Sequence, residues 1–354
     1  MRLCILGDTH FGVRNDSPAF HDLFRKFYED TFFPYMEEHG IDHILQTGDL
    51  FDRRKYVNFN SLNQSREYFF DVVAKRGYVM DVILGNHDIF YKNTLSVNSP
   101  ELLLGSYQNI HIIKEPVTLQ FKGMSIDMIP WICDDNRAQI AEFIRNTNSP
   151  YCFGHFELSG FEMDRGNICH AGDDAMELKK YKQVISGHFH HKSESGNILY
   201  VGAPCEHTWS DWNDPRGFHT LDTLTGEMEF IPNPHTIFTK LNYNDDELYF
   251  DDIQNGDYSQ FTGKYIKVIV VKKNNSFLFE TLIDNLNKAN AHDIIIVEDF
   301  SSPDDLGAIE EINQADDTMG IIDKVVDGIE MDLEKPKLKT ILREIYTEAL
   351  ALES

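Results

Sequence analysis

Positive charge, cysteine and long apolar runs are what this chain has least of. Its 354 residues set 32 Lys and Arg against 58 Asp and Glu, a formal net charge of −26. Such a balance repels bare nucleic acid and anionic membrane surfaces, so neither is expected as a simple electrostatic partner. The five cysteines (Cys4, Cys133, Cys152, Cys169, Cys205) are odd in number, scattered and without a C-x-x-C spacing. They read as reduced, mostly buried thiols of a cytosolic protein and exclude a disulfide framework. No apolar run approaches the roughly 20 residues of a membrane helix. The opening MRLCILGDTH reaches an Asp after a run too short for a signal peptide. What is present is aromatic and apolar: 25 Phe, 15 Tyr and 42% hydrophobic residues, enough for a sizeable core. The length exceeds what one core usually serves, so one large domain with something smaller is expected.

Up to about residue 235, short apolar runs alternate with helical patterns. Residues 3–6, 43–46, 79–84, 151–153 and 184–185 read as buried strands. Segment 18–39 carries Phe20, Leu23, Phe24, Phe27 and Phe32 at helical spacing, and 61–74 repeats this with Leu62, Phe69, Phe70 and Val73. That alternation is the mark of βαβ units. Two hairpins, 118–121 with 124–129 and 218–222 with 228–231, make the sheet mixed. From Pro232 the character changes. Segment 233–257 reads as an Asn- and Asp-rich linker with one strand. A strand at 264–272, a helix at 277–290 and a strand at 293–297 then form a small α+β domain. The division is thus 1–235, 236–300, an acidic linker at 301–335, and an amphipathic helix in 336–354 begun by Pro336.

Five strands end alike, in Gly followed at once by a ligand-type side chain. They are Gly7-Asp8-Thr9-His10, Gly48-Asp49-Leu50-Phe51-Asp52, Gly85-Asn86-His87-Asp88, Gly154-His155 and Gly187-His188-Phe189-His190. Glycine allows a sharp exit from a strand. The next residue then faces the crevice beyond the strand's carboxyl end. If the five tips converge, carboxylates, imidazoles and one amide gather with no interleaved Lys or Arg, and metal ions are the economical source of positive charge. A His, carboxylate and amide set without thiolate suits Mn²⁺, Fe²⁺ or Zn²⁺. About seven ligands exceed what one open-sited ion takes and fit two sharing a carboxylate, about 3.5–4 Å apart, as in phosphoryl transfer. A leaving alkoxide then needs a proton. His87 is the candidate donor, with Asp88 placed to orient or charge its ring; a structural histidine is the plainer alternative.

These motifs, in this order over residues 1 to about 230, resemble the calcineurin-like metallophosphoesterase superfamily. The resemblance implies a sandwich of two mixed β-sheets flanked by helices. It implies one metal held by Asp8, His10, Asp49 and His190 and another by Asp49, Asn86, His155 and His188. Asp49 would be the bridge and His87 the general acid. The runs DTHFGVR, GDLFDRRK, IPWIC, GHFELSGF and NDPRGF resemble more closely the nuclease subunit of SbcCD-type recombination complexes, particularly the T-even-like phage form. That family implies Mn²⁺-dependent DNA exonuclease and endonuclease activity (Mg²⁺, Fe²⁺ and Zn²⁺ being alternatives). It further implies a role in recombination and double-strand-break repair, an SMC-like ABC ATPase partner and a homodimer formed through helices of the first domain. A cytoplasmic location follows, in the host cell if the gene is a phage's. Asp52 stands where some relatives carry His, so it receives no role.

Arg53, Arg54 and Lys55 form a basic triplet directly after the second motif, and Arg14 lies just past His10. These four either contact DNA phosphates or are solvated surface charges. The alternation of an extended segment turns His191 away from the ligands. The terminal helix either packs on its own second domain or docks in a partner's groove. Residues 241–354 hold 25 acidic and 10 basic side chains, so most of the negative charge lies away from the metal motifs. Rival readings are a small-molecule phosphatase or nucleotide phosphodiesterase of the same superfamily, and a non-catalytic scaffold.

Overall fold

In the computed structural model, residues 1–164, 167–170 and 172–298 are described. The apolar runs pair as two six-stranded mixed sheets. β1 (Arg2–Leu6), β2 (His43–Gln46), β3 (Val79–Ile83) and β4 (Ile110–Ile113) run parallel. In the second sheet, β5 (Val117–Phe121) pairs antiparallel with β6 (Met124–Ile129), which runs parallel to β7 (Tyr151–His155). β8 (Glu162–Asp164) and β9 (Asn167–Ile168) form a small ribbon beyond it. β10 (Gln183–Gly187), β11 (Ser193–Ser195) and β12 (Ile198–Tyr200) complete the second sheet in the order β11-β12-β10-β7-β6-β5. The hairpin of β13 (Gly217–Asp222) and β14 (Met228–Pro232) completes the first, in the order β14-β13-β1-β2-β3-β4.

The sheets share a core in which Leu3, Ile5, Leu45 and Ile83 meet Ile126, Met128, Phe153 and Ile185, all fully buried. Helix Arg137–Asn146 covers the outer face of the second sheet with Ile140 and Ile144. An aromatic layer serves the first sheet, and here the sequence reading is sharpened. The helices expected at 18–39 and 61–74 each contain a π-helical turn, Tyr28–Phe32 and Arg66–Phe70. A π turn shifts the helical face by a residue. That brings Tyr28, Phe32, Phe69 and Phe70 all inward, with the Tyr28 and Phe69 rings 4.5 Å apart.

A third sheet holds β15 (Phe238–Asn244), β16 (Tyr265–Lys272) and β17 (Asp293–Glu298), with β15 parallel to β16. Helices Phe250–Asn255 and Ser276–Lys288 bury Ile253, Leu278, Leu282 and Leu286 against it. Most of segment 233–257 is therefore folded, where the sequence reads as linker. Ile237, Phe238, Tyr243 and Ile253 are buried among its Asn and Asp residues. Phe238 and Tyr265 pack on Phe20, at 6.0 and 5.7 Å. The linker expected at 301–335 and the helix expected in 336–354 lie outside the described residues. No helix among the described residues is long and apolar enough to cross a membrane.

Glu206 anchors the start of β15, its Oε2 accepting the amides of Ile237 (2.6 Å) and Phe238 (3.0 Å). Burial pushes this carboxyl from 4.5 up to about 7 against those two bonds. Stability contributed by the neutral form is therefore present at low pH and lost as pH rises through about 7. Glu206→Gln keeps an acceptor without the charge. The variant should match the parent near about pH 4 and exceed it by about 3 kcal/mol near about pH 8. Denaturant unfolding at the two pH values checks this; a pH-independent difference is the contrary result.

Candidate metal centre

The carboxyl ends of β1, β2 and β3 in one sheet and of β7 and β10 in the other open on a common crevice. Four of the seven expected ligands, Asp8, His10, Asp49 and His155, are fully or almost fully buried there; Asn86, His188 and His190 are partly exposed. Bending at the tips is done differently from the expectation. Of the five motif glycines only Gly48 has a positive φ (94°). The ligands themselves take left-handed conformations, His10 at 44°, Asp49 at 55° and His188 at 91°. Such φ values in non-glycine residues are sparsely populated and collect at functional sites. Gly85 and Gly187 instead permit close approach: a Cβ on the first would lie 2.2 Å from Asp49 Oδ1, and on the second 2.4 Å from Asp8 Oδ1.

Two groups of the expected ligands result, and a third cluster joins His10 to Asp52 and His87. Asp8, His10 and His190 offer atoms within 4.8 Å of one another, and so do Asp49, His155 and His188. His190 Nε2 lies 3.0 Å from His10 Nε2 and 3.9 Å from Asp8 Oδ2. Asn86 Oδ1 is 2.9 Å from both His155 Nε2 and His188 Nδ1. Asp49 Oδ2 sits between the groups, 3.4 Å from His155 Nε2 and 3.7 Å from His10 Nε2. Supporting bonds fix the set. His155 Nδ1 donates to Thr47 O (2.7 Å), Thr47 Oγ1 to Asp8 Oδ1 (2.9 Å), and the His188 amide to Asp8 Oδ2 (2.8 Å).

The donor chemistry fits cations. Because His155 Nδ1 donates to Thr47 O, Nε2 is the nitrogen turned to the site, where a bound cation would replace the proton that Asp49 and Asp8 favour. This nitrogen faces Asn86 Oδ1, Asp49 Oδ2 and His188 Nδ1, the last at 3.3 Å. His10 Nδ1 is buried with no hydrogen-bond partner. Lone pairs converging at such separations repel unless positive charge lies among them. Burial pushes Asp8 up to about 7, with the Asp49 charge adding and His155 relieving. Burial would raise Asp49 too, but His155, His10 and His87 hold it well below the usual carboxylate range. His155 rises to about 9 against burial because Asp49 and Asp8 favour its cation. Burial lowers His188 to about 3 and His190 to about 4, and takes His10 well down, so all three are neutral nitrogen donors at physiological pH. Nitrogen and oxygen donors without thiolate suit two divalent ions sharing Asp49.

His87 lies beside this set, its ring 4.8 Å from that of His10. Its amide donates to Asp49 Oδ1 (2.7 Å) and its Nδ1 to Asp52 O (2.5 Å), leaving Nε2 as the outward nitrogen. The orienting group expected from the sequence was Asp88, and the structure corrects this. Asp88 is fully buried, with Oδ2 accepting the amides of Asp49 and Gly85 (both 2.8 Å) and Oδ1 that of Leu50 (2.9 Å). It braces the turns that carry Asp49 and Asn86 and makes no bond to the imidazole; the Asp52 carbonyl orients that ring. The Asp52 carboxylate lies 3.5 Å from His10 Nδ1.

The basic residues are unequally placed. Arg53 is held by Asp16 (3.3 Å), Asn15 and Tyr56. Arg14 donates to His207 O (2.9 Å). Arg54 is half-buried with an unpartnered Nε, and Lys55 is exposed. His191 bonds to Asp214 (2.9 Å), outside the ligand set. Two residues escaped the sequence reading. His207 is buried with neither ring nitrogen hydrogen-bonded, 5.4 Å from the His10 ring and 5.2 Å from that of His190. Arg216, paired with Asp211 and Asp214, donates to the His190 carbonyl, while Asp211 accepts the His207 amide (2.6 Å). Neither follows a strand and a glycine; the NDPRGF run contains Arg216, and no motif marked His207.

Comparison with known proteins agrees with this geometry. The calcineurin-like phosphoesterase family profile matches residues 1–192. Exonuclease subunit 1 of Enterobacteria phage T4 is 32% identical over 352 residues, 99% of each chain. A protein of Invertebrate iridescent virus 3 assigned as phosphoesterase 078R is 26% identical over 213 residues, 58% of this chain and 57% of that one. Among solved structures, an archaeal phosphodiesterase aligns over 66% of this chain and 99% of its own, at 11% identity and a TM-score of 0.33. The chain belongs to the calcineurin-like phosphoesterase family and is a metal-dependent phosphoester hydrolase.

Proposed function

We propose that the chain is a two-metal DNA exonuclease and endonuclease, the catalytic subunit of an ATPase-coupled recombination and double-strand-break repair complex. The observation that carries this is the pair of ligand groups sharing Asp49 beside an outward-facing His87 Nε2, in a chain similar over its whole length to a phage exonuclease subunit. Asp8, His10, Asp49 and His190 would hold one cation, and Asp49, Asn86, His155 and His188 the other, Mn²⁺ being the preferred ion. When bound, the cations supply an activated water and charge for the phosphate oxygens. The Thr47 carbonyl and hydroxyl keep His155 and Asp8 aimed at them. His87, oriented by the Asp52 carbonyl, delivers a proton from Nε2 to the 3′-oxygen that leaves.

Lys55 and Arg54, with Arg14 and Arg53 once released from their neighbours, steady the DNA backbone. Phe59 (89% exposed) and Leu102 (73%) on the helices of the first domain support the homodimer. The capping domain at 236–300 follows the catalytic domain, and the linker at 301–335 and helix in 336–354 lead to the SMC-like ATPase. The site of action is the cytoplasm, that of the host cell if the gene is a phage's. With Mn²⁺, the purified chain should degrade end-labelled linear duplex or nick a single-stranded circle, and EDTA should stop it. Hydrolysis of p-nitrophenyl phosphate with no cleavage of any DNA, even with the ATPase added, rules this reading out.

A further inference from the structure

Asp52 meets three neighbours at once. Its amide donates to Phe11 O (3.2 Å), its carbonyl accepts from His87 Nδ1, and its carboxylate lies 3.5 Å from His10 Nδ1. The first of these bonds belongs to a backbone ladder that continues the pairing of β1 and β2 past their tips. Other rungs run from the His10 amide to Asp49 O (3.0 Å) and from the Phe11 amide to Leu50 O (2.8 Å). Phe11 and Phe51 are thereby paired in parallel register, and the residues flanking them, His10 and Asp52, are fixed close together. The side chains of His10, Asp52 and His87 form the third cluster of the crevice.

We propose that the Asp52 carboxylate is the positioning group of His10, accepting the Nδ1 proton and so holding Nε2 toward the first cation. The inference rests on the assignment of His10 to that cation and is independent of whether the substrate is DNA. Tautomer is the first argument. His10 Nε2 points at the other ligands, 3.0 Å from His190 Nε2 and 3.7 Å from Asp49 Oδ2. A cation among them takes the Nε2 lone pair, so the one proton of the neutral ring sits on Nδ1. Nδ1 is then a hydrogen-bond donor, which makes the third cluster a supporting group and not a third cation site. The second argument is the need for an acceptor. A ligating imidazole ordinarily gives its other N–H to a carboxylate, a carbonyl or water. His155 has such a partner in Thr47 O. His10 Nδ1 is buried with no hydrogen bond, and Asp52 is the carboxylate that faces it. The Asp52 side chain is 28% exposed and has room to turn onto the ring. Division of labour is the third argument. His87 Nδ1 is served by the Asp52 carbonyl, so the carboxylate is not needed there.

The test titrates the full chain with Mn²⁺ and reads the unbound ion by electron paramagnetic resonance. The parent should bind two ions. Asp52→Ala should weaken one of them about tenfold or more and the other far less. Asp52→Asn keeps an oxygen for the Nδ1 proton and should lose less. In a His10→Ala background, Asp52→Ala should change Mn²⁺ binding no further. Unchanged affinity in Asp52→Ala overturns the proposal, and so does equal weakening of both ions or an additive loss in the double variant. Unchanged affinity with a rate defect that vanishes on a p-nitrophenyl ester places the carboxylate on His87 instead. Where Asp52→Ala does not fold, Asp52→Asn is judged by the same outcomes. A parent that binds fewer than two ions, or a His10→Ala that binds both as the parent does, removes the cation assignment itself.

Discussion

His87→Asn is expected to slow phosphodiester hydrolysis by about a thousandfold while leaving both cations bound. The residue's backbone and ring have separate tasks. Its amide donates to Asp49 Oδ1, a bond any side chain preserves, and its Nδ1 donates to the Asp52 carbonyl. The side-chain amide of Asn reaches the position of Nδ1, so the local fold survives and only the outward nitrogen is lost. None of the seven expected ligands is altered, and metal stoichiometry measured by mass spectrometry should be unchanged. The defect should shrink on a p-nitrophenyl ester, whose leaving group departs without a proton. Loss of metal, or an equal defect on the activated ester, shows that His87 serves the site by another route.

Asp88→Ala should give the largest loss of stability, about 3–5 kcal/mol. Three buried amides, those of Gly85, Asp49 and Leu50, then lose their acceptor with no water at hand. The same bonds set the turns that present Asp49 and Asn86, so metal affinity should fall in parallel. Asp88→Asn should lie between, since one oxygen remains but the new amide group points a donor at a donor. Denaturant unfolding and metal titration of the three proteins check the order. A normally stable, metal-replete Asp88→Ala with the rate defect of His87→Asn means that the carboxylate acts on the imidazole, contrary to the geometry.

These two neighbours show where sequence reading ends. His87 and Asp88 are adjacent, and adjacency suggested that one serves the other. Asp88 instead bonds to residue 49, 39 positions away, because the tips of β2 and β3 are brought side by side by parallel pairing. Arg14 and His207 meet across 193 positions for the same kind of reason. A hydrogen-bond partner of this sort is set by the fold, and no local pattern encodes it.

Five glycine-ended strand tips bearing Asp, Asn and His are a local property, and they set the expected ligand types and their order. Apolar runs and helical spacing likewise determined most of the strands and the existence of the long aromatic helices, because periodicity is written into neighbouring residues. The tertiary structure alone decided that the tips divide three to two between separate sheets, and that Asp49 stands between the two ligand groups. It also put the left-handed backbone on His10, Asp49 and His188, with glycines kept where a Cβ would strike a carboxylate. The reason is packing: where two sheets close on each other, contact between distant segments sets distances of a few ångströms, and those distances are what hold a metal.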